Sequence, residues 1–261
     1  MTERILLAAR RCSILMLPAL LALMLFACGD HNFEDPVNSG LGSSSSKSIS
    51  SNIPIQKEKI YGVAQKGPFV DGAVVKIYEL DSKYEKTKKS FSGKTNSKGY
   101  FEIEVGKLAS PYVIIEASGK YNNEVSGKPS NGAITLKAVA DVSNKDNVNI
   151  NVLTDLESEK VLKLAKSGKS FEASKKQAQK EVLNALGVSE AVTRNSEDMA
   201  LFGGNASDNV LLTVSVALQN NKTEAELSAL LADLSGTGKF DVAKEFEKVD
   251  KSKVRTNILA L

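Results

Sequence analysis

The sequence predicts an α+β chain in two parts: a β-sandwich over residues 58–152, then a small all-α domain over residues 153–261. Three observations carry this. Short β-rich runs recur up to residue 152, separated by glycine and asparagine turns. The apolar period changes from two to 3.6 at Leu153. Beyond that point, capping residues precede each apolar run.

The strands come first. Residues 73–80 (AVVKIYEL) are β-rich, and residues 100–105 (YFEIEV) alternate, with Phe101, Ile103 and Val105 on one face. Residues 111–117, 133–140 and 147–152 follow; in the last, Val148, Ile150 and Val152 face one way and three asparagines the other. The turn chemistry is Asp71-Gly72, Asn96 to Gly99, Ser118-Gly119 and Asn131-Gly132. Lys83, Lys86, Lys88 and Lys89 read as a solvated hairpin edge that blocks edge-to-edge pairing.

The helices follow. Thr154 and Glu157 form a capping-box pattern, with Thr154 as N-cap. Ser170 caps a second helix and Gly187 stops it. Asp208 caps a third, whose run at residues 210–218 (VLLTVSVAL) is apolar nearly all round and so belongs at the centre. Thr223 and Glu226 open a fourth, with Leu227, Leu230, Leu231 and Leu234 at helical spacing. Residues 241–249 and 251–261 add two short ones.

The amino terminus reads as an export signal. Arg4, Arg10 and Arg11 precede an apolar run at residues 14–26 that contains Pro18. The run is shorter than the ~20 residues a membrane-crossing helix needs. Leu25, Phe26, Ala27 and Cys28 resemble the lipobox of bacterial lipoproteins, though Phe26 stands where a small residue is usual. The resemblance implies cleavage before Cys28, lipid on its thiol, and membrane attachment in the cell envelope, at the outer membrane. Residues 1–27 are then the signal and residues 28–57 a lipidated cysteine with a Ser/Gly-rich tether. As a flexible coil such a tether spans roughly 30 Å.

Removing Glu3, Arg4, Arg10 and Arg11 with the signal leaves 31 basic and 30 acidic residues of the original 34 and 31. That balance gives no sign of a nucleic-acid partner. Cys12 leaves too, so no disulfide or cysteine metal site is expected. The one histidine, His31, sits in the tether, which removes histidine triads and histidine zinc sites. Residues 233–241 carry oxygen side chains spaced like the first nine positions of an EF-hand loop, but the twelfth position is Lys244 where a bidentate Glu is needed. They read as a helix connector ending in an Asp241 N-cap. No cofactor is expected.

Residues 67–75 (GPFVDGAVV) with residues 95–103 (TNSKGYFEI) resemble the carboxypeptidase-regulatory-like domains. The resemblance implies a prealbumin/Ig-like sandwich, with Gly99 at the positive-φ position of a hairpin and Phe101 in the core. It implies no catalytic residues, because such domains are structural or adhesive appendages. The wider pattern, including NVLTDL at residues 151–156, is similar to surface lipoproteins of anaerobic fibre-degrading bacteria.

The expected function is non-enzymatic binding or scaffolding at the cell surface, with a polysaccharide or another envelope protein as partner. The chain has no Trp, so stacking on sugar must use Tyr or Phe. The phenylalanines fall at core spacing. Tyr100 and Tyr112 lie opposite the apolar faces set by Phe101 and Val113, which makes them the candidate ligand residues. The alternative is an accessory polysaccharide hydrolase working through an Asp/Glu pair.

Overall fold

The computed structural model describes residues 54–260. The expected signal, Cys28 and residues 28–53 of the tether lie outside the described residues. In chain order the strands are β1 (Ile55–Gln65), β2 (Val74–Leu80), β3 (Lys86–Lys94), β4 (Tyr100–Leu108), β5 (Tyr112–Gly119), β6 (Asn122–Asn123), β7 (Lys128–Pro129), β8 (Ile134–Asp141) and β9 (Ile150–Asn151). The helices are α1 (Val152–Lys166), α2 (Phe171–Ala185), α3 (Ala206–Gln219), α4 (Glu224–Ser235), α5 (Val242–Glu247) and α6 (Lys251–Ala260).

The strands form a three-stranded sheet, β4-β1-β9, a four-stranded sheet, β3-β2-β5-β8, and the small β6-β7 pair. Alternation sets their buried sides. Ile60, Phe101, Ile103 and Val105 from the first sheet share one core with Val75, Ile77, Val113, Ile115 and Leu136 from the second. Gly62 is needed where β1 meets the segment leading into β9: a Cβ there would stand 2.1 Å from the Val148 carbonyl oxygen. Gly99 has φ 75°, as the hairpin reading requires, and a Cβ on it would meet the Ala64 carbonyl at 2.5 Å.

Two strands escape the sequence pattern. β1 begins at Ile55 and takes in residues 55–57, which composition assigns to the tether. Its Lys57 is buried because its ammonium reaches Asp146 at 2.7 Å, so an apparently polar start is a packed one. Among the described residues β3 is an edge strand paired with β2 alone, and its lysines stay in solvent. A strand with one solvated face and one solvated edge shows little apolar alternation.

The helix starts differ from expectation at two places. The N-cap of α1 is Asn151, whose side chain accepts from the Leu153 and Thr154 amides, and Thr154 is the N3 partner that returns the bond. Asn205 caps α3 in the same way, and Asp208 is its N3 residue. In both cases an Asn three positions earlier holds the extended backbone a cap needs, and Asn competes well for that role. Ser170, Thr223 and Asp241 cap α2, α4 and α5 as the sequence predicts.

α1 and α2 cover part of the outer face of the four-stranded sheet. Leu80, Ile114 and Val139 meet Val161, Ala165, Phe171 and Ala178 there in a second apolar cluster. The first cluster runs across the strand-to-helix changeover, from Ile150 through Leu153 and Leu156 to Val182, Leu211, Val214 and Leu231. α3 is central, with Val210, Leu211, Val214, Val216, Ala217 and Leu218 buried. α6 docks through Val254 and through Asn257, whose side-chain amide donates to the Glu124 and Val125 carbonyls. Among the described residues, no helix is long and apolar enough to cross a membrane.

Candidate functional site

The candidate tyrosines lie on different sheets. Tyr112 is on β5 under the helices: its ring stacks on Phe171 at 4.6 Å between centroids and lies 5.1 Å from Tyr84. Helix coverage of that half of the sheet puts this ring in a packed contact. Tyr84 and Tyr121 are buried, and the Tyr121 hydroxyl donates to Gln219. Tyr100 is on β4 in the other sheet and is exposed.

Tyr100 has a neighbour that sequence pattern missed. β1 pairs with β4 so that Tyr61 opposes Glu102 and Val63 opposes Tyr100, which makes Tyr61 and Tyr100 diagonal neighbours on the outward face. Their ring centroids are 6.4 Å apart with planes inclined at 41°. Only the pairing of β1, a strand without clean alternation, reveals Tyr61 beside Tyr100.

Charged groups rim the two rings. The Tyr100 hydroxyl donates to Glu102 Oε2 at 2.7 Å, and Lys59 Nζ reaches the same oxygen at 3.1 Å. Lys59 Nζ also lies 6.0 Å from the Tyr61 ring centroid. The Tyr100 hydrogen bond, and then Lys59, hold the Glu102 carboxyl below its usual range. The same hydrogen bond raises the Tyr100 hydroxyl, and Glu102 raises the Lys59 ammonium. At neutral pH the face therefore offers two rings, a phenol, a carboxylate and an ammonium. That combination can stack on an apolar sugar face and hydrogen-bond the hydroxyls at its rim.

A second concave feature lies on the four-stranded sheet, beside α1. This cavity of about 330 Å³ has Leu80, Ile114 and Leu162 in its lining. Three ion pairs flank it: Lys86–Glu116 at 2.8 Å, Lys166–Glu85 at 2.7 Å and Lys137–Glu159 at 3.3 Å.

Two carboxyls of α1 itself, Asp155 and Glu157, are shifted upward. Burial pushes Asp155 up to about 7, against the Lys137 amide that donates to it at 2.9 Å. Burial also pushes Glu157 up to about 7, against the pull of Lys175 and the Ser196 hydroxyl. Lys175 Nζ stands 2.8 Å from Glu197 Oε2 and 3.7 Å from Glu157 Oε2. Burial raises Glu197, but Lys175 and Lys145 outweigh it and hold that carboxyl low. Glu157 and Glu197 are buried and tie α1 and α2 to the segment before α3. The carboxylates that border the cavity are each paired with a lysine. Among the described residues, no group of three or more His, Cys, Asp or Glu side chains is placed to hold a metal ion. Asp241 accepts from the Lys244 amide at 3.0 Å, a capping bond.

At the level of class, these features define an α+β protein with an aromatic patch on one sheet and a cavity beside the helices on the other. No family model, curated protein or solved structure matches the chain.

Proposed function

We propose that this chain is a lipid-anchored envelope protein that binds polysaccharide at the cell surface without turning it over. One observation carries the binding reading: Tyr61 and Tyr100 sit side by side on a sheet face turned away from the core, while Tyr84, Tyr112 and Tyr121 are packed inside or under helices. A flat ring pair with a polar rim suits a sugar chain lying across the strands. In this reading the two sheets are a prealbumin-like sandwich, Cys28 carries the lipid, and the tether holds the aromatic patch clear of the outer membrane.

The test is a pull-down on insoluble cellulose and xylan with the parent, Tyr61→Ala, Tyr100→Ala and Tyr112→Ala, each with a thermal melt. Losing one stacking ring should weaken binding about tenfold, a 1–2 kcal/mol effect, with the melt unchanged for Tyr61→Ala and Tyr100→Ala. Tyr112→Ala should instead lower the melt. Unchanged binding in both patch variants, or no binding by the parent, overturns the assignment. The anchor is tested separately: Cys28→Ala should no longer partition into the detergent phase, and retention there at the mature size would remove Cys28 from the role.

A further inference from the structure

The strand register builds a second face on the four-stranded sheet. Lys94, Val74, Ser118 and Thr135 align in one cross-strand row, and Ser92, Lys76, Glu116 and Lys137 in the next. A third row contains Ser90, Tyr78, Ile114 and Val139. Ile114 and Val139 are buried in the cluster that includes Val161 and Phe171, so the helices reach the third row. On β3 and β2 they leave the first two open, with Val74, Lys76, Ser92 and Lys94 exposed, as is Thr135 on β8; α1 reaches the second row only at Lys137, through Asp155 and Glu159. The β2–β3 register shifts between Tyr78 and Leu80; there Thr87 bonds to Glu79 and Lys89 to the Lys107 carbonyl, which leaves the exposed Lys88 on the side of Ser90 and Ser92.

The charge on this open half is unbalanced. Lys76, Lys88 and Lys94 form no ion pair among the described residues, whereas Glu116, the carboxylate in the rows, is already neutralised by Lys86. Between the lysines lie hydroxyls: Ser90, Ser92, and the Ser118–Thr135 pair, 2.8 Å apart. The cavity adjoins the second row, because Glu116 and Lys137 belong to both.

We infer that this uncovered half-sheet binds an acidic polysaccharide, with its carboxylates on Lys76, Lys88 and Lys94, its hydroxyls on the serine and threonine row, and a chain end or side group in the adjoining cavity. The face suits this occupant better than other polyanions. A membrane surface would call for apolar side chains to insert, and Val74 is the one exposed large apolar residue here. A single-stranded nucleic acid would call for open rings to stack bases, but the Tyr78 ring is half-buried and lies under Lys86 Nζ at 4.0 Å. Protection of a sheet edge accounts for lysines on β3. It does not account for Lys76, which is on the interior strand β2.

The face and its ligand are distinct from the Tyr61–Tyr100 patch, so either assignment can fail alone. The full chain is titrated with polygalacturonate and alginate, with fully methyl-esterified polygalacturonate, and with vesicles of phosphatidylglycerol, at low and high salt. The expected result is binding to a carboxylated glycan that weakens with salt and is absent for the esterified form. The triple variant Lys76→Gln, Lys88→Gln, Lys94→Gln should lose at least about tenfold in affinity, as removing a few ionic contacts implies, with an unchanged melt. The matching triple Lys→Arg variant should retain binding. No binding to either acidic glycan overturns the inference. So does equal binding of the esterified form, parent-like affinity in the Gln variant, or binding confined to vesicles.

Discussion

Lys66 and Glu124 are both fully buried, 2.7 Å apart, and the Ser215 hydroxyl donates to the same Glu124 oxygen at 2.6 Å. Among the described residues the other Glu124 oxygen has no hydrogen-bond partner. A pair withdrawn from water this completely adds little net stability, but breaking one side leaves a buried charge. Lys66→Met should therefore cost about 3–5 kcal/mol by chemical denaturation, and adding Glu124→Leu should recover much of it. A single variant as stable as the parent would refute that coupling. Asp155 and Glu157 make a second residue-scale prediction, about pH. Both have folded-state values near 7, raised from 3.8 and 4.5. A raised carboxyl stabilises the fold fully below its unfolded value, and that contribution is lost as pH rises through its folded value. Glu197, shifted downward, loses its contribution only below its ordinary range. Melting temperature should therefore fall between about pH 4 and about pH 7 at constant ionic strength, and Glu157→Gln should flatten the slope. A melt that rises across the window contradicts the burial of these two groups.

At the scale of elements, the start of α1 joins local bonding to a long-range contact. The Asn151 side chain accepts from two amides and donates to the Ser196 carbonyl at 2.8 Å, joining a helix cap to the segment before α3. Asn151→Ala should cost about 2 kcal/mol or more, a cap plus a buried hydrogen bond. An Ala at Ser170, which caps an exposed helix start, should cost about 1 kcal/mol. Equal costs in denaturant titrations would mean that the Ser196 bond contributes nothing. Elements were legible where chemistry is local. Thr223 with Glu226 and Ser170 with its helix are read correctly because a cap and its partner lie within one turn. The lysines of β3 were read as a hairpin edge, but the strand's extent was not legible, because an edge strand's lysines answer to solvent rather than to a core. The Asn151 cap was missed because Thr154 presents an equally good pattern three residues later, and only backbone conformation separates them.

At the scale of the molecule, strands and helices share the apolar cluster that passes from Ile150 through Leu153 and Leu156 into α2 and α3. Separating residues 54–152 from 153–260 would strip these side chains of partners on one side. Neither piece alone should give a sigmoidal melt, and mixing the two should restore one. Two independent cooperative melts would show that the core divides at the strand-to-helix changeover. The sequence by itself determined the order of strands before helices and most helix starts. It also marked Tyr100 as facing away from the core. These follow from composition and from periods of two and 3.6, which a short segment carries on its own. Tertiary structure alone decided that Tyr112 is roofed by Phe171, that Tyr61 stands beside Tyr100, and that Lys76 and Lys94 stay open while Ile114 and Val139 are covered. Periodicity says which side chains share a face; which face another layer covers depends on pairing between residues far apart in the chain.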